Sequence, residues 1–258
     1  PKNFMGKPIE GAIERVLAGA PKNEEASTQG NGNYEIPTSE KRNYIQVPQF
    51  GIAIATRETH LGKDMFSTLE TLAGEKLKMP SQRQFMRHWF NVEEAAKGKR
   101  KLLYADGTTV EDDVSKDLWN YMSSTDRSRF GGKPCWTWLN SLFKEENGKW
   151  FVEEDLKVLS DAKGKKYLKG TPTALDACIM KDGYVDLSFN PQNLPTSNSS
   201  AQKYEQGKNL YFWHPRKDSV AWFDAGSAGA GLGCGRGPTD SGPSLGVFAS
   251  QKISGGKS

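Results

Sequence analysis

Between Ser219 and Val247 the chain places a small or apolar residue at every second position: Ala221, Phe223 and Ala225, then Ala230, Leu232 and Cys234. The positions between them hold Trp222, Asp224, Gly226, Gly229, Gly231, Gly233, Gly235 and Gly237. Strict alternation marks strands with one face in a core and the other free. Here the free face has no consistent chemistry, and glycine is a poor strand residue. Strand stability therefore does not account for the outward residues, and function is to be sought among them.

The segment cannot fold alone; it needs earlier strands to pair with. A hydrophobic fraction of 36% is low, but seven Trp and twelve Phe in 258 residues supply bulky core material. Residues 1–43 are poor in apolar side chains and are expected to form an extended arm on the body or on a neighbouring subunit. Tyr44 to Ala55 reads as a strand broken at Pro48, followed by a second strand. A helix is expected from about Lys63 to Ala73, stopping at Gly74. A second opens with a capping box, Ser81 and Gln84, after Pro80, and carries the stripe Phe85, Trp89, Val92 and Ala96 to about Gly98. Val114, Leu118 and Tyr121 suggest a short third helix. Trp136, Trp138, Leu139, Leu142 and Phe143 must be largely buried. Glu146-Asn147-Gly148 reads as a turn into the strand at Trp150, Asp106-Gly107 and Asp182-Gly183 as further turns, and Leu210 to Trp213 as an aromatic strand. No repeat or low-complexity linker divides the chain, so one α+β domain over residues 44–258 is expected.

Several functions lose support at this level. The net charge of +4 is spread along the chain, and the runs Lys97–Lys101 and Lys163–Lys166 read as solvated turns rather than a nucleic-acid patch. No apolar run is long enough to span a bilayer, and no early stretch resembles a signal peptide. Cys135, Cys178 and Cys234 lie far apart, which fits neither a disulfide framework nor structural zinc. His60, His88 and His214 share no ligand spacing. The two-residue glycine spacing differs from the Gly-x-Gly-x-x-Gly of dinucleotide folds, and no helix pattern follows it. The terminal Ser254-Gly-Gly-Lys257-Ser258 lacks both the first glycine and the helix of a phosphate loop. No serine sits in a nucleophile elbow, and Cys234 reads as a buried thiol.

The residues Asn193-Leu-Pro195, Tyr211-x-Trp213-x-Pro215-Arg216, Ser219-Val-Ala221-x-Phe223-x-Ala225, Ala230-x-Leu232-x-Cys234-x-Arg236-x-Pro238 and Leu245-Gly-Val247 carry a resemblance. With them the chain resembles the variable proteins of diversity-generating retroelements, above all their archaeal and archaeal-virus branch. The likeness covers roughly residues 135–250, is looser over 44–134 and is absent from the first 43. It implies a C-type lectin fold of the formylglycine-generating-enzyme type: short antiparallel strands with two helices. It also implies a variable segment at about 211–248, rewritten by a reverse transcriptase that misincorporates at template adenines. Asn codons of the AAC type, so randomised, reach Asp, Gly, Ser and Thr among others. Trp222 requires a different codon, and Phe248 stands where the resemblance leads one to expect Arg.

The resemblance implies a non-enzymatic, hypervariable ligand-binding protein. Its variable surface would comprise Phe212, His214, Trp222, Asp224, Gly226, Ala228, Gly229, Gly231, Gly233, Gly235, Gly237, Thr239 and Gly242. Trp222, His214 and Phe212 are the expected anchors, Asp224 the charge, and the glycines a shallow, flat floor with few side-chain contacts and weak binding. The expected partner is a protein or cell-surface molecule, at a virion or cell surface, with no nucleic acid, membrane insertion, cofactor or metal; no acidic cluster commits the segment to calcium. Two alternatives stand: an oxidase on the same fold, or a purely structural surface or virion protein. The oxidases are expected to use a cysteine pair near the C-terminus, whereas Cys234 is flanked at that distance by Gly229 and Thr239.

Overall fold

The computed structural model describes residues 39–253. A single 3-10 turn at Lys41–Asn43 leads into β1 (Tyr44–Val47), which pairs with β2 (Ile52–Ala55) around Pro48. The remainder of the expected N-terminal arm, residues 1–38, lies outside the described residues. Three helices follow: α1 (Met65–Gly74), α2 (Gln82–Ala96) and α3 (Asp112–Ser123). Then come β3 (Cys135–Glu146), β4 (Lys149–Ser160), β5 (Lys166–Ala174), β6 (Gly183–Asp186), β7 (Asn209–Trp213), β8 (Ser219–Gly226), β9 (Gly229–Arg236) and β10 (Ser250–Lys252). The architecture is α+β: a small sheet ordered β1-β2-β10 and a seven-stranded sheet ordered β5-β4-β3-β8-β9-β7-β6. Every pairing is antiparallel except β7 with β9.

Local chemistry explains most boundaries. Ser81 and Gln84 close the capping box in both directions: the Ser81 amide donates to Gln84 Oε1 at 2.9 Å, and the Gln84 amide to Ser81 Oγ at 3.4 Å. Asp64 caps α1 by accepting from the Ser67 amide at 2.7 Å. α1 stops at Gly74 as expected, with the left-handed residue of the following turn at Lys76, whose φ is 57°. Asn147 and Gly148 both take positive φ, the primed turn that suits the twist of the β3–β4 hairpin.

One apolar cluster joins both sheets to α2 and α3. It includes Ile45, Ile54, Phe85, Trp89, Tyr121, Leu139, Phe212, Phe223, Leu232 and Cys234. Trp89 also donates its indole N–H to the Met122 carbonyl at 3.1 Å, which ties α2 to α3. A second cluster lies on the opposite face of the large sheet. There Met65, Phe66, Leu69 and Leu72 of α1 meet Trp138, Leu142, Val220, Leu245 and Val247. The chain after β9 returns beside the start of β3: the Trp138 amide donates to the Gly246 carbonyl at 2.9 Å, and the Gly246 amide to that of Trp136 at 3.0 Å. Among the described residues no helix is long and apolar enough to cross a membrane.

Candidate functional site

The alternation in β8 and β9 separates two chemistries. Ala221, Phe223, Ala225, Ala230, Leu232 and Cys234 face the helices and are buried. Phe223 stacks on Phe85 at 5.1 Å between ring centroids. The antiparallel register sets Trp222 opposite Gly233, Asp224 opposite Gly231 and Gly226 opposite Gly229. Residues opposite one another across a pair share a face, so the first two of these pairs lie together on the sheet face away from α2 and α3, where Trp222 packs against the edge of the second apolar cluster.

The surface is not flat. A Cβ on Gly233 would fall 2.1 Å from Trp222 Cε2, and one on Gly231 would fall 2.6 Å from Trp213 Cζ3. Both indoles therefore lie directly over the glycine strand and fill the space that its missing side chains leave. Ring neighbours extend the feature across the sheet. Trp136 of β3 lies 6.3 Å from Trp222, Trp222 4.8 Å from Trp213, Trp213 4.6 Å from Tyr211, and Tyr211 5.1 Å from Tyr184 of β6. All five are half-buried. The expected shallow floor is thus corrected to an aromatic strip seated on glycine.

Charge is concentrated at one end of the strip. The register shifts between Val220 and Trp222, so that Arg236 pairs with Val220. Such a bulge resets the alternation, and the Arg236 guanidinium lies over the rings of Trp136 (4.7 Å), Trp138 (5.6 Å) and Trp222 (5.8 Å). Its Nε stands 3.5 Å from Asp240 Oδ2. Asp224 keeps Oδ1 buried without a hydrogen-bond partner, as does the Trp136 indole nitrogen. Burial pushes the Asp224 carboxyl up to about 7, against the pull of Arg236.

The other expected site residues divide by position. Gly226 and the exposed Ala228 lie at the β8–β9 turn. Gly237, Thr239 and Gly242 follow β9 in a loop that returns to Trp136, whose ring lies 2.9 Å from a Cβ placed on Gly242. His214 follows β7, with its Nδ1 2.5 Å from Asp182 Oδ1; Asp182 also accepts from Arg216 Nη2 at 3.1 Å. Burial works against ionisation of Asp182, but the bonds from His214 and the Arg216 charge hold its carboxyl below the usual range. The Arg216 side chain also covers Gly235, with Cδ 3.0 Å from a Cβ built there.

Two expected site residues are displaced. Phe212 is fully buried among the helix-facing residues, because β7 points Leu210 and Phe212 inward and Tyr211 and Trp213 outward. The even-numbered parity of β8 does not carry across the turn at Asp218, whose φ is 59°. Gly229, at φ 108°, has Tyr204 in its Cβ space at 2.1 Å, and Tyr204 donates its hydroxyl to the Ser123 carbonyl at the end of α3. That glycine therefore belongs to the packing under the sheet. Sequence reasoning passed over Trp136, Trp213, Tyr211, Tyr184 and Arg236 as site residues. For Tyr211 and Trp213 the alternation within β7 carried the signal; Trp136, Tyr184 and Arg236 join them only through the pairing of separate strands.

Catalytic groups do not converge here. The only side chain bonded to His214 is Asp182, and no hydroxyl or thiol partners it among the described residues. Cys234 faces the core, where burial pushes its thiol well above its ordinary value and nearby Cys178 adds to the effect. Among the described residues no group of three or more His, Cys, Asp and Glu is arranged to hold a metal ion. No family model, curated protein or solved structure matches this chain.

Proposed function

We propose that the chain is a hypervariable ligand-binding protein of a diversity-generating retroelement, built on a C-type lectin fold and acting by binding rather than catalysis. One observation carries the reading. Trp222, Asp224, Gly231 and Gly233 share one face of β8 and β9, the turn at Gly226 and Ala228 lies at one end of that hairpin, and the loop of Gly237, Thr239 and Gly242 leaves its other end and returns to Trp136. The inward residues of the same two strands are closed into the core. A period-2 pattern of this kind lets one face change while the packed face is kept.

The test is the DNA downstream of the gene. A near-copy of the segment encoding residues 211–248, differing only where the copy has adenine and lying beside a reverse-transcriptase gene, is expected. The differences should fall on codons such as those of Asp224, Gly226 and Thr239, and spare those of Ala221, Phe223 and Leu232. Absence of the repeat, or differences spread equally over both sets, overturns the reading.

A further inference from the structure

We infer that the bare face of the β4–β5 hairpin tip docks on a bilayer surface rich in anionic phospholipid. Between Lys157 and Lys169 the chain holds five lysines and one aspartate, a net +4 that equals the net charge of all 258 residues. The expected even spread of charge is thus corrected, since the chain outside this tip is neutral overall. β3 pairs with β4 only as far as Glu154, so the tip projects as a two-stranded ribbon. Asp155, at φ 54°, lies in a bulge that resets the alternation there. Leu156, Val158 and Leu168 thereby join the second apolar cluster with α1, and Lys166 Nζ reaches Glu70 of α1 at 2.7 Å. The opposite face of the ribbon is uncovered. It sets Lys157 directly across from Lys169, and Leu159 across from Tyr167. Leu159 and Tyr167 are 38% and 43% exposed.

Stability does not account for this face. Like charges set opposite one another weaken a strand pair, and an apolar pair left in water gains little from folding. Lysine on an edge strand deters aggregation, which explains Lys166 and Lys169 on β5, but an exposed apolar rung beside them works against that purpose. The cations are also unclaimed. Asp161 Oδ1 accepts from the amides of Lys163 and Lys165 at 2.8 and 2.9 Å, which holds the turn. Among the described residues Lys157, Lys163, Lys165 and Lys169 have no ion pair.

The apolar rung therefore lies between a lysine rung on the body side and the lysines of the turn beyond it. That order suits a bilayer interface: leucine and the tyrosine ring enter the headgroup region, while the lysine stems carry their charges to the phosphates. A ribbon this narrow cannot bury the roughly 800 Å² that a stable protein interface takes from each partner, whereas each lysine at an anionic surface adds its attraction separately. Residues 157–169 contain no arginine, the planar fork that recognises discrete phosphates and carboxylates, so diffuse surface charge fits them better. β3 separates β4 from β8, so docking here involves none of the variable positions and does not depend on the retroelement reading.

The test sediments the full chain with vesicles of phosphatidylcholine alone and with vesicles holding about 30% phosphatidylserine, at low and at high salt. Binding is expected to the mixed vesicles, at low salt only. Lys157→Gln with Lys169→Gln should weaken it about 25-fold, or about fivefold per lysine. Leu159→Ser with Tyr167→Ser should weaken it about tenfold. Lys99→Gln, at an exposed lysine off the hairpin, controls for charge and should alter binding by less than about twofold. Removing a like-charge pair should leave the melting temperature of the lysine variant no lower than that of the parent, so its lost binding reports the surface and not the fold. A single-stranded oligothymidine is the rival anion. Failure to bind the mixed vesicles, equal binding to phosphatidylcholine, indifference to either double substitution, or tighter binding of the oligothymidine overturns the inference. A missing downstream repeat bears on none of these results.

Discussion

The indole of Trp222 occupies the volume that a side chain on Gly233 would take, with 2.1 Å between Cε2 and the Cβ position. The glycine and the tryptophan are therefore one unit: neither residue's identity is independent of the other. Gly231 and Trp213 repeat the relationship one register step away.

Gly233→Ala is expected to lower stability by about 1–3 kcal/mol through overpacking, or to drive the Trp222 ring off the strand. Thermal melting reads the first outcome, and a red-shifted tryptophan emission the second. Gly237→Ala is the control, since its Cβ would meet only the mobile end of Asp240 at 3.3 Å. It should change stability by no more than about 0.5 kcal/mol. Equal effects of the two substitutions would refute the interlock.

Asp224 makes a pH prediction of unusual sign for a carboxyl group. Its folded value of about 7 exceeds the ordinary 3.8, so the native state keeps a proton that the unfolded chain has released. Stability must then fall as pH rises from about 4 to about 7, and the cost of the ionised group is complete above that, on the order of 4 kcal/mol. Asp224→Asn should be the more stable protein at pH 8, and the advantage should shrink toward zero near pH 4. Urea unfolding of both proteins at several pH values measures the difference, and a difference constant with pH would contradict it.

His88 acts in the opposite direction. It lies fully buried on α2, both ring nitrogens lack partners, and burial lowers its proton affinity from 6.5 to about 4. The unfolded chain takes up a proton here first, so stability is lost as pH falls from about 6.5 to about 4. An apolar side chain of similar size removes two unsatisfied polar atoms. His88→Leu is expected to gain about 1 kcal/mol at pH 7 and more at pH 5. A loss at both pH values would mean that the imidazole has a bonding role.

Much of this architecture was legible in the residues, for identifiable reasons. Ser81 with Gln84 and Asn147-Gly148 encode their structures within four residues, so the capping box and the hairpin turn were readable without tertiary knowledge. The inward register of β8 and β9 was readable because a core tolerates only apolar residues at every second place. The strip was not, since it depends on which strands become neighbours: Trp136, Trp213 and Trp222 lie in three strands that meet only through the order β3-β8-β9-β7. The glycines were legible as unusual but not as occupied space. Nothing in their own spacing says that Trp213 and Trp222 will lie over them.

Glu58 ties the strip to the helical side of the molecule, and that link can be measured. Its Oε1 accepts from the Trp136 amide at 2.8 Å and its Oε2 from the Tyr121 hydroxyl at 2.6 Å. Loss of water raises the carboxyl above its ordinary value, while the bonds from Tyr121, Trp136 and Cys135 oppose the rise. Removing the acceptor strands a backbone N–H and a hydroxyl together, so Glu58→Ala should cost about 3 kcal/mol, whereas Tyr121→Phe should cost about 1 to 2 kcal/mol. Once Glu58 is alanine, the Tyr121 hydroxyl has no bond left to lose, and Tyr121→Phe should then be close to neutral. A double-mutant cycle in urea should therefore return a coupling of about 1 kcal/mol or more. Additive losses would show that the carboxylate holds the start of β3 alone, with α3 held by its apolar contacts.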